Sequence, residues 1–225
     1  MALILLDLDG TLIDSEVGIT TSMVHAMRSV GVEQPSQERM RSWIGPPLHT
    51  SFAELLGEDE DRIDLAVHHY RERFDAVGWS EHAVYPGIEQ LIVNLAGRGN
   101  RLAIVTSKVA AQARRIVDHL PFGQSFEAVF APTPEARTCG KAELVASALS
   151  TLGRSARDAV MIGDRCFDMN GARANGVRAI GVLWGFGSSN ELLEAGADHI
   201  VADPRGLEEC LAVCLHGQQD TDLKV

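Results

Sequence analysis

The sequence predicts an α/β fold in which a small all-helical unit is inserted after the first strand. First, the apolar run Leu3–Leu6 leads into carboxylates and a glycine, which is typical of a strand buried on both faces. Second, residues 15–82 show helical periodicity and no strand pattern. Third, apolar runs and helical patterns alternate from Tyr85 onward, as in the βαβ units of a parallel sheet. We therefore expect a Rossmann-like doubly wound parallel sheet that carries a helical cap.

Composition limits the class of protein. The 225 residues are 45% hydrophobic, which is ordinary for a globular protein with one large domain or a core and a smaller second unit. The formal charge of −11 argues against nucleic acid or an anionic membrane as a partner. The amino terminus lacks the basic segment of a signal peptide, no apolar run is long enough to span a bilayer, and the cysteines form no CxxC pair. We expect a cytoplasmic protein that is a monomer or a weak homodimer.

The inserted segment is predicted to hold four helices. The first closes at Gly31, and the last, Asp59–Val77, is long and amphipathic. Between them, residues 45–47 form a rigid Gly-Pro-Pro loop, because proline fixes its own φ and restricts the residue before it. Two short helices flank this loop, one opened by Pro35-Ser36 and the other spanning Ser51–Leu56.

The rest of the chain alternates between strands and helices. Five further strands are predicted, at Arg101–Val105, Phe126–Phe130, Ala159–Ile162, Arg178–Leu183 and His199–Val201. Helices are predicted at Ile88–Ala96, Val109–Leu120, Lys141–Leu152, Met169–Asn175 and Pro204–Leu215, with one more capped by Ser188 or Ser189. We place the α/β core at residues 1–14 and 83–225 and the helical cap at residues 15–82. The two short connections between them suit a lid that moves against a core.

Polar side chains that can do chemistry follow four of the predicted strands. They are Asp7 and Asp9 after the first, Thr106, Ser107 and Lys108 after the second, Lys141 after the third, and Asp164 with Asp168 after the fourth. Each group alone has a plain structural interpretation, such as a helix N-cap or a solvated turn. Because the carboxyl ends of parallel strands meet at one edge of the sheet, where open α/β sheets bind ligands, we expect the four groups to form one site.

The charges of this predicted site constrain its chemistry. Two carboxylates about 4 Å apart repel by roughly 4 kcal/mol at an effective dielectric near 20, so Asp7 and Asp9 need a cation, a shared proton, or both. One Mg²⁺ and Lys141 offset three of the four negative charges of the site. A phosphate dianion then requires a proton on Asp9, which is the state of a general acid. Oxygen ligands favour Mg²⁺ over Zn²⁺, and Thr106 with the N–H groups of the following helix can hold phosphate oxygens.

At these positions the chain resembles the haloacid dehalogenase-like hydrolase superfamily. The segments Asp7–Thr11, Thr106–Ser107, Lys141 and Gly163–Asp168 match its four motifs in order and spacing. The helical insert resembles the small α-helical cap of that superfamily, so the resemblance spans nearly the whole chain. Similarity to its phosphoglycolate phosphatase and bacterial 5′-nucleotidase-like branch is found in Trp43–Leu48, Tyr85–Gly87, Val105–Lys108 and Gly181–Ser188.

The resemblance implies a mechanism and a cofactor, Mg²⁺. Asp7 would be the nucleophile that forms an aspartyl-phosphate, and Asp9 would protonate the leaving oxygen and then activate water. The groups expected to bind the transferring phosphoryl group are Thr106, Ser107 and Lys141, of which the lysine would also orient the nucleophile. The expected metal ligands are Asp7, the carbonyl of Asp9, Asp164, and Asp168 either directly or through water.

The resemblance also bears on the substrate, a small phosphorylated metabolite. Asp9 points to phosphate transfer, since the haloacid dehalogenases lack this second aspartate, whereas Ala142 departs from the Lys-Pro of many relatives. We expect a phosphatase, with phosphoglycolate as the first substrate and a nucleoside 5′-monophosphate close behind. A sugar phosphomutase on the same core is an alternative, as is an inactive phosphometabolite-binding module. The cap residues expected to select the substrate are Ile44, Gly45, Pro46 and Leu48.

Overall fold

The structure, a computed structural model, describes residues 1–133 and 139–216. The insert holds α1 (Glu16–Ser29), α2 (Gln37–Ser42), α3 (Leu48–Leu56) and α4 (Glu60–Ala76), followed by a 3₁₀ turn at Gly78–Ser80. The strands are β1 (Leu3–Leu6), β2 (Ile13–Asp14), β3 (Ala83–Val84), β4 (Arg101–Val105), β5 (Phe126–Phe130), β6 (Ala159–Gly163), β7 (Arg178–Val182) and β8 (His199–Val201). The remaining helices are α5 (Ile88–Gly97), α6 (Ala110–His119), α7 (Lys141–Leu152), α8 (Cys166–Ala174), α9 (Ser189–Glu194) and α10 (Pro204–His216).

Six of the strands form one parallel sheet in the order β5-β4-β1-β6-β7-β8. Strand β1 lies at the centre, and its Leu6 pairs with Ile104 of β4 on one side and with Ile162 of β6 on the other. After β5 the chain returns past β1 to build the second half of the sheet. The carboxyl end of β1 is therefore next to the switch point of a doubly wound sheet, where such folds bind ligands. The predicted fold class is confirmed.

Alternate residues of β1 face two layers of helices. Ile4 and Leu6 belong to the apolar cluster on one face of the sheet, while Leu3 and Leu5 belong to the cluster on the other. All four side chains are fully buried. Successive side chains of a strand point to opposite faces, so a strand that is apolar at every position needs cover on both. The predicted burial of this strand on both faces is confirmed.

The insert shares an apolar cluster with the core. Helices α1 and α4 pack against each other, and their buried stripes include Met23 and Val67. On α4, Tyr70 and Phe74 are one turn apart and stack with ring centres separated by 5.6 Å. The same cluster contains Leu12, which follows β1, so the insert and the core are in contact. The boundaries between residues 14 and 15 and between 82 and 83 stay a prediction.

The two connections between insert and core form a short antiparallel ribbon that the sequence pattern did not predict. Ile13 of β2 pairs with Val84 of β3, and Asp14 pairs with Ala83. A strand of two residues is too short to show the alternation by which a strand is predicted. The ribbon places the entry and exit of the insert side by side, which suits a hinged lid.

Helix α3 begins earlier than predicted. Its first residue is Leu48, directly after Pro47, rather than Ser51. The carbonyl of Pro47 accepts the N–H of Ser51 at 3.3 Å, so the proline residue lies at the position that precedes the first turn. The Gly-Pro-Pro loop is therefore shorter than expected and leads straight into the helix.

Helix α8 also begins three residues earlier, at Cys166 rather than Met169. The carboxylate of Asp168 accepts the main-chain N–H of Arg165 at 3.1 Å, as in a capping box. Residues 166–168, which the sequence analysis leaves in the connection before the helix, are thus its first turn. Asp168 consequently lies on a helix and not on a flexible connection.

None of the helices in residues 1–133 and 139–216 is long and apolar enough to cross a membrane. The predicted frayed tail after His216 lies outside the described residues.

Candidate active site

The predicted site residues converge at the carboxyl edge of the sheet. Asp7 follows β1, Thr106 follows β4 and Asp164 follows β6, and these three strands are adjacent. Hydrogen bonding continues past the strands, since the N–H of Asp7 donates to the carbonyl of Ile162 at 3.0 Å and that of Thr106 to Phe130 at 3.0 Å. Hydrogen bonds to the adjacent strands therefore fix the backbone at the site. A fixed backbone holds the side chains of the site in defined positions.

Lys141, the first residue of α7, lies at the centre of the charges. Its Nζ is 2.9 Å from Oδ1 of Asp7 and 2.8 Å from Oδ1 of Asp168, and it donates to the carbonyl of Val105 at 3.0 Å. Burial tends to lower the pKa of Lys141, but the two carboxylates outweigh this effect and the pKa is raised. The ammonium group is thus charged and holds the Asp7 carboxylate in one position.

Asp164 is fully buried and its two oxygens are both held. The hydroxyl of Thr11 donates to Oδ1 at 3.1 Å, and the main-chain N–H of Phe186 donates to Oδ2 at 2.8 Å. Burial, together with Asp168 and Asp7, raises its pKa well above the ordinary value. A Cβ on Gly10 would lie 2.2 Å from Oδ2, so only glycine permits this close approach of the β1 loop.

Asp7, Asp164 and Asp168 can each direct one oxygen to a common centre. These oxygens lie within 4.8 Å of one another, and the three residues are buried. Burial raises the pKa of Asp7 to about 7 against the opposing effect of Lys141, with Asp168 and Asp9 adding to the rise. Buried carboxylates crowded in this way are costly without a cation. A set of hard oxygen donors fits Mg²⁺, so the chemistry of these residues agrees with the predicted cofactor.

Lys108 is a site residue whose role the sequence did not indicate. Its side chain is 5% exposed, and its Nζ lies 3.2 Å from Oδ2 of Asp9. The same ammonium lies 4.3 Å from the ring centre of Phe74 on α4, within the range of a cation–π contact. Lys108 therefore joins a carboxylate of the core to an aromatic ring of the insert. A lysine just before a helix start, where a cation is disfavoured, was the available signal.

The second lysine changes the charge balance of the site. With Lys108 and Lys141 both positive, a divalent cation neutralises the four carboxylates. With Lys141 as the only lysine, the charge of the site required a proton on Asp9, and Lys108 removes this requirement. The other oxygen of Asp9, Oδ1, is buried and has no hydrogen-bond partner among the described residues. That oxygen is available to a group in the cleft.

Thr106 and Ser107 line the cleft above Asp7 and Asp9. Thr106 is almost fully buried, and its hydroxyl oxygen accepts the N–H of Lys108 at 3.2 Å. A side chain that caps a turn makes this bond, in agreement with the structural interpretation of Thr106 as a capping residue. The bond uses the hydroxyl oxygen as acceptor and leaves the hydroxyl proton free to donate to an anion. The two interpretations of Thr106 are therefore compatible.

Residues 43–49, a loop that continues into the first turn of α3, form the wall of the cleft on the cap side. Ile44, Gly45, Pro46 and Leu48 all line it, as the sequence analysis expected of substrate-selecting residues. Gly45 has φ +113°, a conformation that L side chains rarely adopt. This wall is largely apolar, in contrast to the charged floor formed by the strands.

Arg165 links this loop to the core and was not singled out from the sequence. Its Nε is 2.9 Å from Glu191, while its Nη1 donates to the carbonyls of Ser42, at 3.3 Å, and of Ile44. A Cβ on Gly45 would lie 3.3 Å from Cγ of Arg165, so the loop packs directly on this side chain. Arg165 precedes α8, which carries Asp168, so one segment contributes both a metal-ligand candidate and a contact to the cap.

The fold and these four motifs define a class of protein. The model of the haloacid dehalogenase-like hydrolase family matches residues 4–182, and the chain belongs to this family. It is similar to a 5′-nucleotidase of Pseudomonas aeruginosa, with 42% identity over 92% of this chain and 94% of that protein. A structure described as a predicted phosphatase from Clostridium acetobutylicum superposes with a TM-score of 0.90 at 35% identity, covering 94% of this chain and 98% of that one.

A third relative carries a different name. The tyrosine-protein kinase PtkA of Mycobacterium tuberculosis is 35% identical over 84% of this chain, which spans 64% of that protein. The family match and the phosphatase-named relatives nevertheless show that the chain is a phosphoric monoester hydrolase. The predicted enzyme class is confirmed.

Proposed function

We propose that the chain hydrolyses a small phosphate monoester through an aspartyl-phosphate on Asp7. The observation that carries the proposal is the Asp7 carboxylate, held 2.9 Å from the buried Lys141 ammonium and facing the cleft. An oxygen of Asp7 attacks phosphorus and the bond from phosphorus to the ester oxygen breaks. Asp9, which enters the step protonated on the Oδ1 that Lys108 does not engage, gives that proton to the ester oxygen. Asp9 then takes a proton from water, whose oxygen attacks phosphorus and releases inorganic phosphate and free Asp7.

The neighbouring residues supply charge and position. Thr106, Ser107 and Lys141 hold the phosphoryl oxygens, which spread negative charge in the transition state. The residues that would hold Mg²⁺ are Asp7, the carbonyl of Asp9, Asp164, and Asp168 directly or through water. When bound, the cation offsets the repulsion between the anionic ester and the carboxylates. Lys108 keeps the Asp9 carboxyl group oriented, with one oxygen paired and the other open to the cleft.

A nucleoside 5′-monophosphate is the leading substrate. The relative named 5′-nucleotidase supports it, and so does the cap wall, where the accessible residues Pro46, Pro47 and Leu48 offer an apolar surface to a nucleoside. Phosphoglycolate, which the sequence resemblance placed first, is the second candidate. Its small anionic leaving group would use little of the apolar wall and would depend on the cation that the cap supplies, Arg71. The monomeric or weakly dimeric state and the cytoplasmic location are likewise proposals.

A panel of phosphate esters tests the proposed function. We expect phosphate release from 5′-mononucleotides, phosphoglycolate or another small metabolite with a higher kcat/KM than from an aryl phosphate. Isomerisation of a hexose phosphate that depends on a bisphosphate activator would indicate a phosphomutase instead. Transfer from ATP to a tyrosine peptide would indicate a kinase, and metabolite binding without turnover would indicate an inactive binding module.

A further inference from the structure

Arg71 of α4 is a charged group of the cleft that the proposed chemistry does not use. It lines the cleft from the cap side, next to Tyr70. Its Nε is buried and has no hydrogen-bond partner among the described residues. Arginine stays charged in proteins, and a buried donor without a partner is destabilising. A ligand that supplies the missing acceptor would remove this penalty.

The rest of the cap wall offers Arg71 no counter-charge. The described cap residues that line the cleft include no carboxylate. The side chain of His49, which also lines the cleft, lies 3.1 Å from Asp64. The carboxylates of the cleft, Asp7 and Asp9, belong to the core and are already paired with lysines. Within the part of the chain that the structure describes, Arg71 is therefore a positive group of the cap wall with no paired carboxylate.

The position of Arg71 indicates which part of a substrate it meets. The transferring phosphoryl group is bound on the floor of the cleft by residues of the core, whereas Arg71 lies on the wall formed by the cap. A guanidinium presents Nε–H and Nη–H side by side, a fork that matches two adjacent acceptor atoms. Both the carboxylate of a small metabolite and the O6/N7 edge of a 6-oxopurine offer such a pair.

We infer that Arg71 binds a pair of adjacent acceptor atoms on the leaving group and so selects substrates that carry one. The inference rests on the proposed phosphatase function, and it adds the chemical class of the leaving group. It predicts that esters with a carboxylate or a 6-oxopurine are preferred over matched esters without the acceptor pair. The substrates used in the test show whether a carboxylate or a 6-oxopurine supplies the acceptor atoms.

The experiment compares two matched pairs of substrates, phosphoglycolate with ethyl phosphate and GMP with AMP. We measure kcat/KM for the full chain, for Arg71→Ala and Arg71→Lys, and for Arg62→Ala, a control on the exposed part of α4. Arg71→Ala should lower kcat/KM for phosphoglycolate, for GMP, or for both by about 10- to 100-fold. Ethyl phosphate and AMP should change by less than about threefold, and Arg71→Lys should give an intermediate loss, because it keeps the charge without the fork.

The pair that responds identifies the source of the acceptors. A loss confined to phosphoglycolate assigns Arg71 to a carboxylate, and a loss confined to GMP assigns it to a nucleobase. An equal loss on all four substrates, or no loss on either acceptor-bearing substrate, would overturn the inference while leaving the phosphatase intact. If the chain releases no phosphate from any ester, the proposed function fails. Calorimetric titration of phosphoglycolate and GMP into the chain and its Arg71→Ala variant then decides the inference by binding alone, since unchanged affinities would refute it.

Discussion

The floor and the wall of the cleft differ in how their residues are held. On the floor, Asp7, Lys141 and Asp164 are buried, fixed by adjacent strands, and bound to one another or to the backbone. On the wall, residues 43–49 are largely apolar and are held to the core through Arg165, while Arg71 lacks a partner among the described residues. Rigid, paired charges suit a reaction that is the same for every substrate. An apolar wall that belongs to the inserted cap suits selection among leaving groups.

Asp7→Asn gives the largest expected loss on the floor. Turnover of every substrate, including an aryl phosphate, should fall by about 10⁴-fold or more, because an amide cannot form the phospho-intermediate. The measurement is steady-state phosphate release, with circular dichroism to verify the fold. Asp203→Asn, at an exposed position ahead of α10, is the matched control and should keep full activity. Retained turnover in Asp7→Asn would refute the nucleophile assignment.

We expect removal of divalent cations to abolish the reaction at the floor of the cleft and to leave the selection of the leaving group by the wall unchanged. EDTA should abolish turnover on all substrates, and Mg²⁺ should restore it, because the carboxylates of Asp7, Asp164 and Asp168 need a cation beside an anionic ester. The same addition should raise the melting temperature, since a bound cation relieves the repulsion among buried carboxylates. A rate that EDTA does not change would contradict the metal assignment.

Lys108→Met tests the contact that crosses from the floor to the cap. We expect kcat to fall by about 10- to 100-fold on all substrates, because Asp9 loses the group that orients it 3.2 Å away. Phe74→Leu keeps the ion pair and removes only the ring contact at 4.3 Å, so its loss should be several times smaller. Equal effects of the two variants would mean that Lys108 acts through the cap and not through Asp9.

Leu48→Ala is the smallest expected change and concerns the wall. It should alter the ratio of kcat/KM between nucleotides and phosphoglycolate by about 3- to 10-fold, since the apolar contact that the truncation removes is worth about 0.7–1.4 kcal/mol. Aryl-phosphate turnover should change less. Leu65→Ala, on the exposed face of α4, is the control. Equal losses on every substrate would break the division between a catalytic floor and a selecting wall.

Much of the floor could be predicted because it depends on sequence order. An apolar strand that ends in Asp7 must place that carboxylate at its carboxyl edge, and parallel pairing brings Thr106 and Asp164 to the same edge. The start of α8 could not be predicted as well, because it depends on a bond from the Arg165 N–H to the Asp168 carboxylate. Polar residues that favour a loop are also those that cap a helix.

The contacts between floor and wall could not be predicted at all. Lys108 and Phe74 are 34 positions apart in sequence, and Arg165 lies more than 100 residues from Ile44. No periodic pattern relates such positions, because their proximity depends on how the insert docks on the sheet. The ribbon of β2 and β3 was missed for a related reason, since two-residue strands exist only through their pairing.

The sequence by itself determined the fold class, the family resemblance and the order of the charged groups along the sheet edge, because strand burial and motif spacing are local properties. The tertiary structure decided which charges pair. It added Lys108 to the charge balance, so that the general-acid role of Asp9, and not the net charge of the site, now calls for a proton there. It also left Arg71 without a partner among the described residues. Electrostatic energies depend on distance and burial, and both are fixed only when the chain is folded.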